Sequence, residues 1–152
     1  YDNRLLIGVV AGSIFIASTL GQFLQGALPL RLRLPLGCVS LMLGVIPIAL
    51  GIYTQSLSLF ITGAVIAGMG QGISFRAGMG AIASASPATE KAAVTSAFFV
   101  VAYIAISVPV IGLGVMATFT NLTTTGITFA AVMGSLAALA LALLIRRERA
   151  EA

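Results

Sequence analysis

The sequence predicts an all-α membrane protein of five transmembrane helices. Three observations predict it. Of the 152 residues, 59% are hydrophobic and only 8% are charged, with a mean hydropathy of +1.13, whereas a soluble domain is about a quarter charged. The chain divides into five apolar runs, each near or above the roughly 20 residues a spanning helix needs. The basic residues gather in short links between those runs, on alternate links. No polar surface could cover helices this apolar, so the bilayer is their solvent.

The first run extends from about Leu5 to Leu28 and stops at Pro29, which cannot continue a helix and biases its predecessor away from helical angles. The second extends from about Leu34 to Ile52, with Pro47 inside it as an expected kink. The third, Leu57 to Ser84, exceeds the bilayer thickness as one straight helix, and tilt or a projecting end absorbs the excess. The fourth extends from about Ala92 to Ala117 with Pro109 inside, and the fifth from about Thr125 to Ile145, ending at Arg146-Arg147. The links are short, so sequential neighbours run antiparallel.

Strict alternation puts Arg31, Arg33, Lys91, Arg146, Arg147 and Arg149 on one side and only Arg4 on the other. This is a positive-inside signal, with the C-terminus cytoplasmic and Tyr1 external. Tyr1 is not an initiator Met, and no signal peptide follows it. An odd number of spans with an external start predicts that an odd number of helices precedes this chain. The pI of 10.0 does not imply nucleic acid, because the net charge is only +4 and sits in the links. The single Cys38 excludes a disulfide framework, and with no histidine and no acid inside a run there is no ligand set for a metal or cofactor. No nucleophile–base pair can be assembled, so an enzyme is not expected.

Polar residues sort the runs into two kinds. The first has Ser18, Gln22 and Gln25 on one helical face, the third Thr62, Met69, Gly72, Arg76 and Gly80, and the fourth Ser96, Tyr103 and Ser107. These three read as helices lining a pathway. The second and fifth, poor in polar groups, read as lipid-facing supports.

Arg76 is the only charge well inside an apolar run, flanked one turn away by Gly72 and Gly80. One reading is an anion or hydrogen-bond clamp, or half of a conformational ion pair, in an aqueous cavity; the other is an arginine snorkelling to the headgroups. The first is favoured, because intramembrane charges face bundle interiors or cavities. No acid in the chain is placed to pair with it: Asp2 is on the far side and Glu90 is in a link. Gly8-x-x-x-Gly12 and Gly68-x-x-x-Gly72 read as helix packing motifs. Gln22, Gln25, Gln71 and Tyr103 either line a wet cavity or hydrogen-bond between helices. Asn121-Leu122-Thr123 fits a glycosylation sequon, a pattern common by chance.

Three stretches carry a family resemblance: Gly26-Ala27-Leu28-Pro29-Leu30-Arg31; Gly68-Met69-Gly70-Gln71-Gly72-Ile73-Ser74-Phe75; and Ser86-Pro87 through Lys91 with Ala97-Phe98-Phe99 and Ser107 to Gly114. They resemble the second-half cytoplasmic loop, the glycine-rich tenth helix, and the tenth-to-eleventh loop with the eleventh helix of a major facilitator superfamily transporter. In the loop Gly26, Leu28 and Arg31 match, while Leu30 and Arg33 stand where the family has Asp and Gly. The resemblance implies that the whole chain, 1–152, is the C-terminal part of a twelve-helix bundle, helices eight to twelve. It implies that the eighth, tenth and eleventh helices line the cavity, that the ninth and twelfth are peripheral, and that Pro109, Gly112 and Gly114 bend the eleventh. It also implies alternating access between two six-helix halves.

The expected function is secondary active transport of a small organic solute, narrowed to efflux by proton antiport, in the inner membrane of a bacterial cell. The coupling carboxylate would lie in the preceding helices of the same protein. The alternative is a small multi-pass scaffold that assembles a partner without transporting anything.

Overall fold

The computed structural model describes residues 4–151. Five α-helices follow one another: α1 (Arg4–Leu24), α2 (Leu30–Tyr53), α3 (Leu57–Ala85), α4 (Lys91–Phe119) and α5 (Leu122–Glu151), with a 3-10 turn at Gln25–Ala27. All five are long and apolar enough to cross a bilayer. Tyr1 and Asp2, assigned above to the side opposite the basic links, lie outside the described residues.

Three boundaries differ from the sequence reading. The first helix gives way to the 3-10 turn before Pro29, and Leu28 is extended at φ −90°, ψ 144°, as the residue preceding a proline prefers. α2 starts at Leu30, so Arg31 and Arg33 belong to its first turns and not to a link. Pro29, with its fixed φ and no N–H, is a natural entry to a helix. α5 continues past Arg146-Arg147 to Glu151, where charged residues suit a helix end leaving the apolar layer. α2 and α4 both run unbroken through their internal prolines, Pro35 and Pro47 in α2 and Pro109 in α4. Membrane helices tolerate this.

The core is made of small side chains. Its buried apolar members are Ala17, Cys38, Ala64, Ile73, Ala130 and Ala137, while large residues such as Phe15, Phe23, Val101 and Val108 face outward. Water would penalise that arrangement heavily; lipid does not, and packing of small residues then draws membrane helices together. The chain is therefore a multi-pass membrane protein.

α3 is the central helix, packed between α1 and α2, and α5 packs on the far side of α2. Glycines explain both contacts. In α2, Gly37, Gly44 and Gly51 recur every seventh residue, facing α3, where Gly63 and Gly70 do the same. A Cβ on Gly63 would lie 2.6 Å from the Gly44 carbonyl oxygen, and one on Gly70 would lie 2.7 Å from that of Gly37. Ser40 adds a bond across this seam, its hydroxyl donating to the Ile66 carbonyl at 2.8 Å. On the other side of α3, Gly68 and Gly72 meet the backbone of Ile14 and Ser18 in α1, and Gly21 returns the contact onto Met69. Gly68-x-x-x-Gly72 is thus a packing motif as expected. For Gly8-x-x-x-Gly12 no such contact is seen: neither glycine has a neighbour within 4 Å of an added Cβ among the described residues.

The α2–α3 turn closes on Gln55, the only described non-glycine residue with positive φ, at 53°. Ser56 N–H donates to Gly51 O at 2.9 Å and Gln55 N–H to Ile52 O at 3.4 Å, the pairing of a left-handed helix C-cap that glycine usually fills. Gln55→Gly is expected to stabilise the protein by up to about 1 kcal/mol, read as a higher unfolding midpoint. Asn121, in the sequon-like triplet, caps α5: its Oδ1 accepts from Thr124 N–H at 2.7 Å.

Candidate functional site

α4 stands apart from the other four helices. None of its residues is buried, and it meets α3 chiefly through an aromatic cluster, with the Phe75 ring 5.5 Å from Phe98 and 6.1 Å from Phe99. Two cavities lie beside α3: one in the space that α4 leaves against α1 and α3, the other between the α1–α2 connection, the start of α2, the end of α3 and Thr95 of α4. Their linings follow one another along the same helical faces.

The first cavity, about 250 Å³, is lined by Phe15, Ser18 and Gln22 of α1, Gln71 and Phe75 of α3, and Phe99, Ala102, Tyr103 and Ile106 of α4. The α3 and α4 stretches lie near the middle of their helices and the α1 stretch in the C-terminal half of its own, so this cavity sits at mid-depth along α3 and α4. Ser18 donates its hydroxyl to Gln71 Oε1 at 2.5 Å across the α1–α3 seam. The amide thus does both things the sequence left open: it bonds between helices and it lines a cavity. Double-mutant analysis of Ser18→Ala and Gln71→Leu is expected to give a coupling of about 0.6–1.7 kcal/mol in unfolding, the range for such bonds inside membranes.

The second cavity, about 610 Å³, is lined by Gln25, Arg33, Arg76, Gly80, Ser84 and Thr95 among apolar neighbours. It lies at the end of the bundle that carries the α1–α2 connection, the close of α3 and the opening turns of α4. Arg76 is nine residues from the end of α3, about 13 Å at 1.5 Å per residue. It has no hydrogen-bond or ion-pair partner among the described residues. Gln25 is 7% exposed, and its buried Oε1 has no donor among the described residues.

The residues singled out above therefore divide. Gln22, Gln71 and Tyr103 meet in the mid-depth cavity, and Gln25, Arg76 and Gly80 meet in the larger one. Gly72 and Met69 do not line a pathway: they are the α1 contact of α3, since a helix can approach most closely where Cβ is missing. The cavity face of α3 is instead Gln71, Phe75 and Met79, joined by Arg76 and Gly80. On α4 the lining face is Thr95, Phe99, Tyr103 and Ile106; Ser96 and Ser107 are exposed off it. Gly26 and Arg31 are exposed at the α1–α2 connection, and Gly112 and Gly114 have open space around them.

Sequence reasoning did not single out Phe75, Phe99 or Thr95 as lining residues, and it read Arg33 as a topology charge and as a departure from the family loop. The i, i+4, i+8 spacing of Gln71, Phe75 and Met79 was the available signal. Neither cavity is lined by an acid, a cysteine or a histidine. What gathers is amides, hydroxyls, a phenol and guanidiniums, which can bind and orient a solute. The chain matches no family model, no curated protein and no solved structure.

Proposed function

We propose that this chain is the C-terminal part of a major facilitator superfamily transporter, with α1 to α5 as its helices eight to twelve, moving a small organic solute by alternating access. One observation carries the reading. Gln22, Gln71 and Tyr103, from three different apolar helices, line a single mid-depth cavity, which is where solute sites of such carriers lie. The larger cavity then serves as the vestibule at the end rich in Arg and Lys, and Phe75 and Phe99, which line the mid-depth cavity and belong to an aromatic cluster with rings 5.5–6.1 Å apart, would narrow its wall. The helix roles fit as well. α1, α3 and α4 line the mid-depth cavity, while α2 packs on α3 and α5 on α2, as the family's eighth, tenth and eleventh helices relate to its ninth and twelfth; α2 reaches only the larger cavity, through Leu30, Arg33 and Leu34. The preceding helices of the same protein would supply the opposite wall and any proton-coupling carboxylate.

The test is flux of labelled small organic solutes into proteoliposomes of the full protein, with and without an imposed pH gradient. Saturable, protein-dependent flux that falls in Gln71→Leu supports the reading. Flux no greater than in protein-free liposomes, from protein that remains folded, contradicts it and returns the scaffold alternative.

A further inference from the structure

The larger cavity gathers two guanidiniums and no acid. Arg33 is the fourth residue of α2, and Arg76 comes from α3. Arg33 donates its Nε–H to the Leu28 carbonyl at 3.0 Å, which steadies its stem and leaves its two terminal amino groups uncommitted among the described residues. Arg76 has no partner among them at all. Two like charges in one largely apolar pocket repel each other, and Arg33, which is half-buried, has given up part of its hydration. A bridging anion relieves both costs.

The donor set tells which anion. Two planar forks offer more N–H groups than the two oxygens of a carboxylate can accept, and the Ser84 and Thr95 hydroxyls line the same wall. A phosphate group, with three or four oxygens and up to two charges, matches that set. Gln25 lines the same wall, and its amide N–H groups can donate to a phosphate oxygen.

We infer that this cavity binds a phosphate group held between Arg33 and Arg76. The group is carried either by a soluble ligand or by an anionic phospholipid. The cavity's place suits both, since Arg33, Ser84 and Thr95 all lie within a few residues of a helix end. The inference concerns equilibrium binding and does not rest on transport, so it stands or fails without a gradient or a transported solute.

The experiment follows thermal unfolding of the purified full protein in two arms. In neutral detergent, inorganic phosphate is titrated against chloride at equal ionic strength. In nanodiscs, phosphatidylcholine is compared with phosphatidylcholine plus phosphatidylglycerol. A saturable rise in Tm of about 5 °C is expected in at least one arm, lost in Arg33→Gln and Arg76→Gln. A rise with free phosphate assigns a soluble ligand; a rise only with phosphatidylglycerol assigns the headgroup. Should a Gln variant fail to fold, Arg33→Lys and Arg76→Lys keep the charge without the fork and are expected to weaken phosphate binding at least tenfold. No rise beyond chloride and phosphatidylcholine in either arm, or an equal rise in the variants, overturns the inference.

Discussion

Gly72→Leu is expected to leave the protein largely unfolded, with a loss of about 3 kcal/mol or more, at or above the upper range for overpacking. A Cβ at this position meets the Ser18 carbonyl group and approaches the Ser18 Cα to 3.0 Å. These are backbone atoms, so no rotamer change relieves the clash and α1 must move away from α3. The displacement also breaks the Ser18–Gln71 hydrogen bond and opens the wall of the mid-depth cavity. Gly8→Leu and Gly80→Leu are the controls, because among the described residues nothing lies within 4 Å of an added Cβ there. Unfolding in a denaturing detergent, with gel filtration of the folded fraction, reads all three. A Gly72→Leu protein as stable as Gly8→Leu would mean that α1 does not lie against α3 along this seam.

Arg76→Ala is expected to separate function from folding. The side chain is exposed and forms no bond within the described chain, so stability should change by less than about 0.5 kcal/mol. Solute flux should fall by about 10- to 100-fold, the equivalent of one hydrogen-bonded charge contact of roughly 1.5–3 kcal/mol. Arg76→Lys should recover part of it, because charge survives while the forked geometry does not. An arginine that only snorkelled to the headgroups would leave flux unchanged in both variants.

The helices were legible because bilayer thickness sets their length and lipid demands apolar sides. The ends were less so. Arg31 and Arg33 read as a link because they are charged, yet a helix can begin on charged residues where it leaves the apolar layer. The grouping of Gln22, Gln71 and Tyr103 into one cavity was visible only in part, as polarity on three separate helices. Which face of α3 turns to which neighbour was not visible. Glycines occur on several of its faces, and a glycine that seats a partner backbone looks, in sequence, like one that makes room for a solute. For that reason Gly72 was read both as a packing residue and as part of the Arg76 face, and only the first holds. The seven-residue recurrence of Gly37, Gly44 and Gly51 against Gly63 and Gly70 was present in the sequence and would have identified the α2–α3 seam.

The claim on which the rest depends is that α1, α3 and α4 enclose a water-accessible path, so that Gln71 and Tyr103 face water and not lipid. Cys38 is the only cysteine in the chain and is buried, so Cys38→Ser, with any cysteine of the preceding helices also replaced, gives a background for single-cysteine probes. Gln71→Cys and Tyr103→Cys are placed in the cavity wall, and Ile46→Cys on the outer surface of α2, where the native side chain is 58% exposed. A membrane-impermeant thiol reagent applied to the full protein in sealed vesicles of both orientations is predicted to modify positions 71 and 103 and to leave position 46 unmodified. Modification of none of the three, or of position 46 as readily as position 71, would contradict the path.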